Sequence, residues 1–144
     1  MGVCLFVASG LDFDVDEYLR KSAFQPMTVF RKAEVPSKGN PKQMPQPDSG
    51  FAVKVSERSE ALPETAQKAL TFLVTNEQNI LRLRECGVDN MLLDFGVEQK
   101  GIQVSQYLPP ELIVALGRFG MGLVFSSIQV PTGGLSRQSD TRRR

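Results

Sequence analysis

Asp12, Asp14 and Asp16 stand at alternate positions, the spacing with which calcium-binding loops aim successive oxygens at one cation. Such a loop needs a glycine halfway along and a closing glutamate, and at those positions this chain has Glu17 and Ala23. Capping of a helix is the better use for these carboxylates. Asp94-Phe95-Gly96 shares its letters with the metal-binding triplet of kinases. No glycine-rich phosphate loop or catalytic-loop sequence accompanies it, so it reads as an ordinary strand. Gly117 to Gly122, GRFGMG, lacks the strand before it and the helix after it that a dinucleotide site requires. The chain contains no histidine, which removes the commonest general base and metal ligand and excludes Ser-His and Cys-His nucleophiles. Cys4 and Cys86 are too few and too far apart for a disulfide framework or a zinc site. No metal and no cofactor is expected, and no catalytic residue is assigned.

What survives is binding chemistry. Phe30, Arg31 and Lys32 follow one another at the end of an expected strand, where an aromatic ring and a guanidinium could stack on a partner or hold an anion. Charged residues at a strand edge also serve simply to discourage aggregation. Asp94 completes the set of candidate binding residues. A second basic feature is the tail: residues 131 to 144 carry four Arg and one Asp, so the remainder of a chain of net charge +1 stands at −2. With so little overall field, no nucleic-acid partner is expected.

These residues need elements to hold them. In Val3 to Ala8 the residues Val3, Leu5 and Val7 alternate with Cys4, Phe6 and Ala8, and both sets are apolar, which predicts a central strand covered on both faces. Gly10 releases it. Asp14 then caps a helix with Glu17 answering as in a capping box, while Phe13 and Tyr18 form a hydrophobic staple. Met27 to Ala33 alternates as a second strand. Residues 34 to 50 hold four prolines and no periodicity, which predicts a mobile loop. Phe51 to Val55 follows as a third strand.

Leu62-Pro63-Glu64 opens a helix whose inner stripe is Ala66, Ala69, Leu70, Leu73 and Val74. Thr75-Asn76-Glu77-Gln78 reads as a second capping box, which predicts a break or kink before a further helix stopped by Gly87, with one unbroken long helix as the alternative. Met91 to Val97 is a fourth strand, Lys100-Gly101 a turn, Pro109-Pro110-Glu111 the start of a last helix ended by Gly120, and Leu123 to Val130 a fifth strand. Residues 1–131 then form one α+β domain, and 132–144 a disordered basic tail. The element order predicts a ferredoxin-like split βαβ sandwich (βαββαβ), extended by a C-terminal helix and strand.

DFDVDEYLRKSAFQPMTVFRKAE, a polar loop, a short strand, a two-piece helix and the late LPPELIVAL helix together resemble the small bacterial domains grouped as domain of unknown function 4279. The resemblance runs over about residues 3 to 130, and its specific parts are the DFDVDE helix start and Phe30-Arg31-Lys32. It implies no catalytic residues. Some members sit beside toxin and immunity genes, which implies at most an immunity-like binding role.

The expected function is a non-catalytic protein-binding module, immunity-like in its mode, whose partner is another protein. The alternative is a small His-free enzyme working through carboxylates such as Asp12 or Asp94. Converging carboxylates and a pocket would favour the enzyme, and a flat or apolar exposed face the binder. The only apolar run at the amino end is short and lacks a basic flank, so neither a signal peptide nor a membrane span is expected, and the cytoplasm is the expected location.

Overall fold

The apolar alternation at the amino end builds β1 (Gly2–Gly10), which hydrogen-bonds to a neighbour on each side and forms the middle of the sheet. After it come α1 (Val15–Lys21), β2 (Thr28–Phe30), β3 (Ser49–Glu60), α2 (Leu62–Thr75), α3 (Glu77–Glu85), β4 (Asn90–Glu98), α4 (Pro110–Phe119) and β5 (Gly122–Ile128). The structure is a computed structural model that describes residues 2–33, 46–60, 62–98 and 107–128. Within them the fold is α+β, with four helices and a five-stranded mixed sheet in the order β2-β3-β1-β4-β5. β1 runs antiparallel to β3 and β4, β2 antiparallel to β3, and β5 parallel to β4 with α4 as the crossover.

The expectation that both faces of β1 are covered is corrected. Cys4, Phe6 and Ala8 are fully buried, in one cluster with Val15 and Tyr18 of α1, Ala66, Ala69 and Leu73 of α2, Ile80 and Leu83 of α3, and Leu112, Leu116 and Phe119 of α4. All four helices therefore pack on the Phe6 face. Val3, Leu5 and Val7 point the other way, are half-buried, and lie outside that cluster.

Local chemistry sets the helix starts. Asp14 takes extended backbone angles and its Oδ1 accepts from the Glu17 amide at 3.1 Å, satisfying one of the unpaired donors of the first turn of α1. Glu17 does not answer back: its carboxylate pairs with Arg20 and Lys21 of its own helix. The staple is present, with the Phe13 and Tyr18 rings 5.8 Å apart. Asp14→Ala is expected to lower stability by about 1 kcal/mol and Asp14→Asn by much less, since asparagine caps almost as well. Chemical denaturation checks the ranking. A melting temperature that rises several degrees on adding calcium would contradict capping as the role of Asp14.

The helical segment does break, with α2 ending at Thr75 and α3 beginning at Glu77, but the capping box that predicted it is absent. Asn76 occupies the cap position without a side-chain cap bond, and its Nδ2 instead donates to the Phe72 carbonyl at 2.9 Å. The far end of α4 follows expectation: Gly120 has φ +63°, the left-handed turn that ends helices.

The strands differ from expectation in extent, with β1 and β4 each longer by one or two residues at their ends. Met27 to Ala33 shortens to Thr28–Phe30, because the chain turns at Ala33, where φ is +69° and the amide donates to the Gln46 carbonyl. Phe51 to Val55 lengthens to Ser49–Glu60, taking Ser49 and Gly50 out of the expected loop and running past an irregularity opposite Cys4 and Leu5. The last strand is Gly122–Ile128. Most of that loop, residues 34–45, with the Lys100-Gly101 turn and the tail 132–144, lies outside the described residues.

Candidate functional site

Each candidate binding residue has a definite place in the sheet, and they do not form one site. Phe30 ends β2, opposite Gly50 of β3. Its ring lies over that glycine so closely that a Cβ at Gly50 would sit 2.6 Å from the ring Cζ and 2.3 Å from the Ala8 carbonyl oxygen. The glycine makes room for the ring, and Phe30 serves as cover for a bare stretch of backbone. Arg31 reaches α1, where its Nε and Nη2 hold both carboxylate oxygens of Asp16 at 3.0 and 2.8 Å. The Arg31 hydrogen bond holds the Asp16 carboxyl below the usual carboxylate range. That stabilisation is present above the unfolded carboxylate range and is lost as pH falls through the depressed folded value. Both side chains are exposed, so the pair does more to tether β2 to α1 than to strengthen the fold. Lys32 donates its backbone amide to Ser49 Oγ at 2.8 Å, while the residue itself is exposed.

Asp94 sits on β4 directly opposite Leu5, on the face of the sheet away from the helices, and accepts from Ser126 Oγ at 2.8 Å. Five residues of β1 separate that level from Gly10, about 17 Å of strand, and Asp12 lies beyond Gly10. Asp12 and Asp94 are thus at different levels of the molecule, and the carboxylate beside Arg31 is Asp16. Among the described residues no three His, Cys, Asp or Glu side chains gather as a metal site would need.

The two cysteines are unpaired, with Cys4 buried and Cys86 half-buried. Burial, with a smaller push from the Asp94 charge across the strand, raises the Cys4 thiol to about 12. It is therefore a protonated packing group and a poor nucleophile at neutral pH. Tyr18 is also raised to about 12 by burial, and its hydroxyl donates to the Asn79 carbonyl at 2.9 Å, tying α1 to α3.

Two surfaces emerge that residue motifs did not single out. The first is β5, where Leu123, Val124 and Phe125 are 36%, 37% and 47% exposed. Among the described residues β5 hydrogen-bonds to β4 alone, so its outer edge presents backbone donors and acceptors. Its sequence, GLVFSSI, contains no charge and no proline, the usual means of blunting an edge. That was visible in the sequence, but whether the strand lay at an edge was not. The second is the face of the sheet on which none of the described helices packs, with Val3, Leu5, Val7, Phe30, Ala52, Leu92 and Val124 among its apolar residues and Lys54 and Asp94 between them.

None of the described helices is long and apolar enough to cross a membrane. Comparison with models of known families, with curated proteins and with solved structures finds no match to this chain.

Proposed function

We propose that this chain is a non-catalytic protein-binding module whose contact element is β5. The observation that carries the reading is the uncharged edge of that strand, which pairs with no further strand among the described residues, with three consecutive large apolar side chains more than a third exposed. An extended segment of a partner could extend the sheet there, its backbone pairing with β5 and its alternate side chains meeting Phe125 on one face and Val124 on the other. An immunity-like role, expected from the resemblance carried by DFDVDE and Phe30-Arg31-Lys32, would be one use of such an edge. The His-free carboxylate enzyme is the weaker reading, because Asp12 and Asp94 lie at different levels of the molecule and Arg31 is paired with Asp16.

The finer description of the fold belongs to the same proposal. A split βαβ arrangement is supported by β3 lying between β1 and β2 and antiparallel to both, and by β4 on the opposite side of β1. β5 then extends that sheet beyond β4. A cytoplasmic location is supported by the two unpaired thiols.

Phe125→Lys tests the function by placing a charge in the middle of the edge. Proteins from the native cell lysate that bind the immobilised wild type are expected to be lost from the variant, which keeps a cooperative unfolding transition. Capture of the same proteins by both would remove β5 as the contact element.

A further inference from the structure

We propose that the face of the sheet away from the described helices is a self-complementary interface, covered by the same face of a second copy of this chain. Val3, Leu5 and Val7 of β1 and Leu92 of β4 are half-buried there without belonging to the core. Their arrangement around β1 identifies the occupant. β1 is the third of five strands, with β3 and β2 on one side and β4 and β5 on the other. A two-fold axis running along β1, midway between two stacked sheets, lays β3 of one copy over β4 of the other, while β2 and β5 are offset along the strands and meet only at the row of Thr28 and Gly122. The three central strands are then covered.

Charge selects this axis over the alternative. Leu5 is opposite Lys54 in β3 and opposite Asp94 in β4, so one row across the sheet reads cation, leucine, anion. Rotation about an axis along β1 exchanges the two sides and sets each Lys54 over Asp94 of the other copy. Rotation about an in-plane axis across the strands would set lysine over lysine and aspartate over aspartate. The next row agrees in shape: Val7 is opposite Ala52 and Leu92, and the same rotation sets the small residue over the large one. Stacked sheets lie about 10 Å apart, a gap that a lysine stem and an aspartate bridge together. In the single chain Lys54 pairs with Glu57 at 3.6 Å with both side chains exposed, an interaction weak enough to be exchanged.

The size suits a weak pairing: three central strands about 4.8 Å apart and about nine residues long offer roughly 430 Å² per copy, about 860 Å² in all, below the range of tight complexes. Such a pair is isologous and closed, and it leaves the hydrogen-bonding edge of β5 uncovered. The inference concerns a different surface from the proposed function, and the two fail separately.

Sedimentation of the full chain at about 100 µM, a concentration suited to an interface of this modest size, is expected to give twice the chain mass. Lys54→Glu places like charges opposite each other and should weaken association at least tenfold; Asp94→Lys should do the same. The double exchange Lys54→Glu with Asp94→Lys should restore affinity to near the wild-type value, which a merely structural effect would not do. Because Lys54 is exposed, its single variant keeps the test informative even if Asp94→Lys folds poorly. Phe125→Lys should leave the dimer intact. A monomer at that concentration would overturn the inference, as would a dimer indifferent to Lys54→Glu or one dissolved by Phe125→Lys.

Discussion

Phe51→Ala is expected to lower the free energy of unfolding by about 3 to 5 kcal/mol, and Phe6→Ala by a similar amount, each a large part of the margin of a small domain. Both side chains are completely buried. The Phe51 ring lies 5.8 to 6.2 Å from those of Phe6, Phe13, Tyr18 and Phe24, so its removal empties the centre of an aromatic cluster contributed by three strands or loops and α1. Phe6 adds contacts to Phe24 and to Phe72 of α2. A rigid cluster of this kind cannot collapse around the void, which places both losses in the upper range for large-to-small changes. As the two rings touch, the double variant should cost less than the sum of the singles, by on the order of 1 kcal/mol. Phe125→Ala, which takes a half-exposed ring from its stack on Phe95, is expected to cost far less. Urea denaturation gives all four values. Equal midpoints for Phe51→Ala and Phe125→Ala would show that the core is not organised around Phe51.

Three glycine-to-alanine changes should differ in sign. At Gly10 a Cβ would lie 2.1 Å from the Gly87 carbonyl oxygen and 3.1 Å from Val88 Cα, backbone atoms that cannot swing aside. The end of β1 and the turn after α3 are held at this distance by the Asp89 amide, which donates to the Ser9 carbonyl at 3.0 Å. Gly10→Ala is therefore expected to destabilise by about 3 kcal/mol, the upper end for an overpacked site. At Gly87 a Cβ would come within 2.6 Å of the Asp12 carbonyl oxygen, and φ is +104°, so strain of about 1 to 2 kcal/mol is added to the collision. Gly117 lies inside α4 with nothing within 4 Å of its added Cβ, and Gly117→Ala should stabilise by about 0.5 to 1 kcal/mol through reduced freedom of the unfolded chain. Denaturation midpoints again decide. A neutral Gly10→Ala would mean that β1 does not meet the α3–β4 turn as closely as described.

The sequence by itself determined the elements whose causes lie within a few residues. Asp14 caps α1 because its carboxylate needs to reach only Glu17, and Phe13 finds Tyr18 within the same turn. Pro110 in the first turn of α4 and Gly120 at its end are local in the same sense. Tertiary structure decided what depends on partners far along the chain. Two interleaved apolar sets in β1 look alike in sequence, and the helices, most of them more than 50 residues away, covered Phe6 and left Leu5 half-open. Arg84 was an unremarkable charge on a helix until its guanidinium met the carbonyls of Phe119 and Gly120, closing the end of α4 from α3. Gly10 read as a strand ending, and only the approach of Gly87 gave it a steric role. The placement of β5 beside β4, and hence at an edge, followed from a parallel pairing that no alternation pattern encodes, because strand order is set by packing of the crossover and not by the residues of the strand.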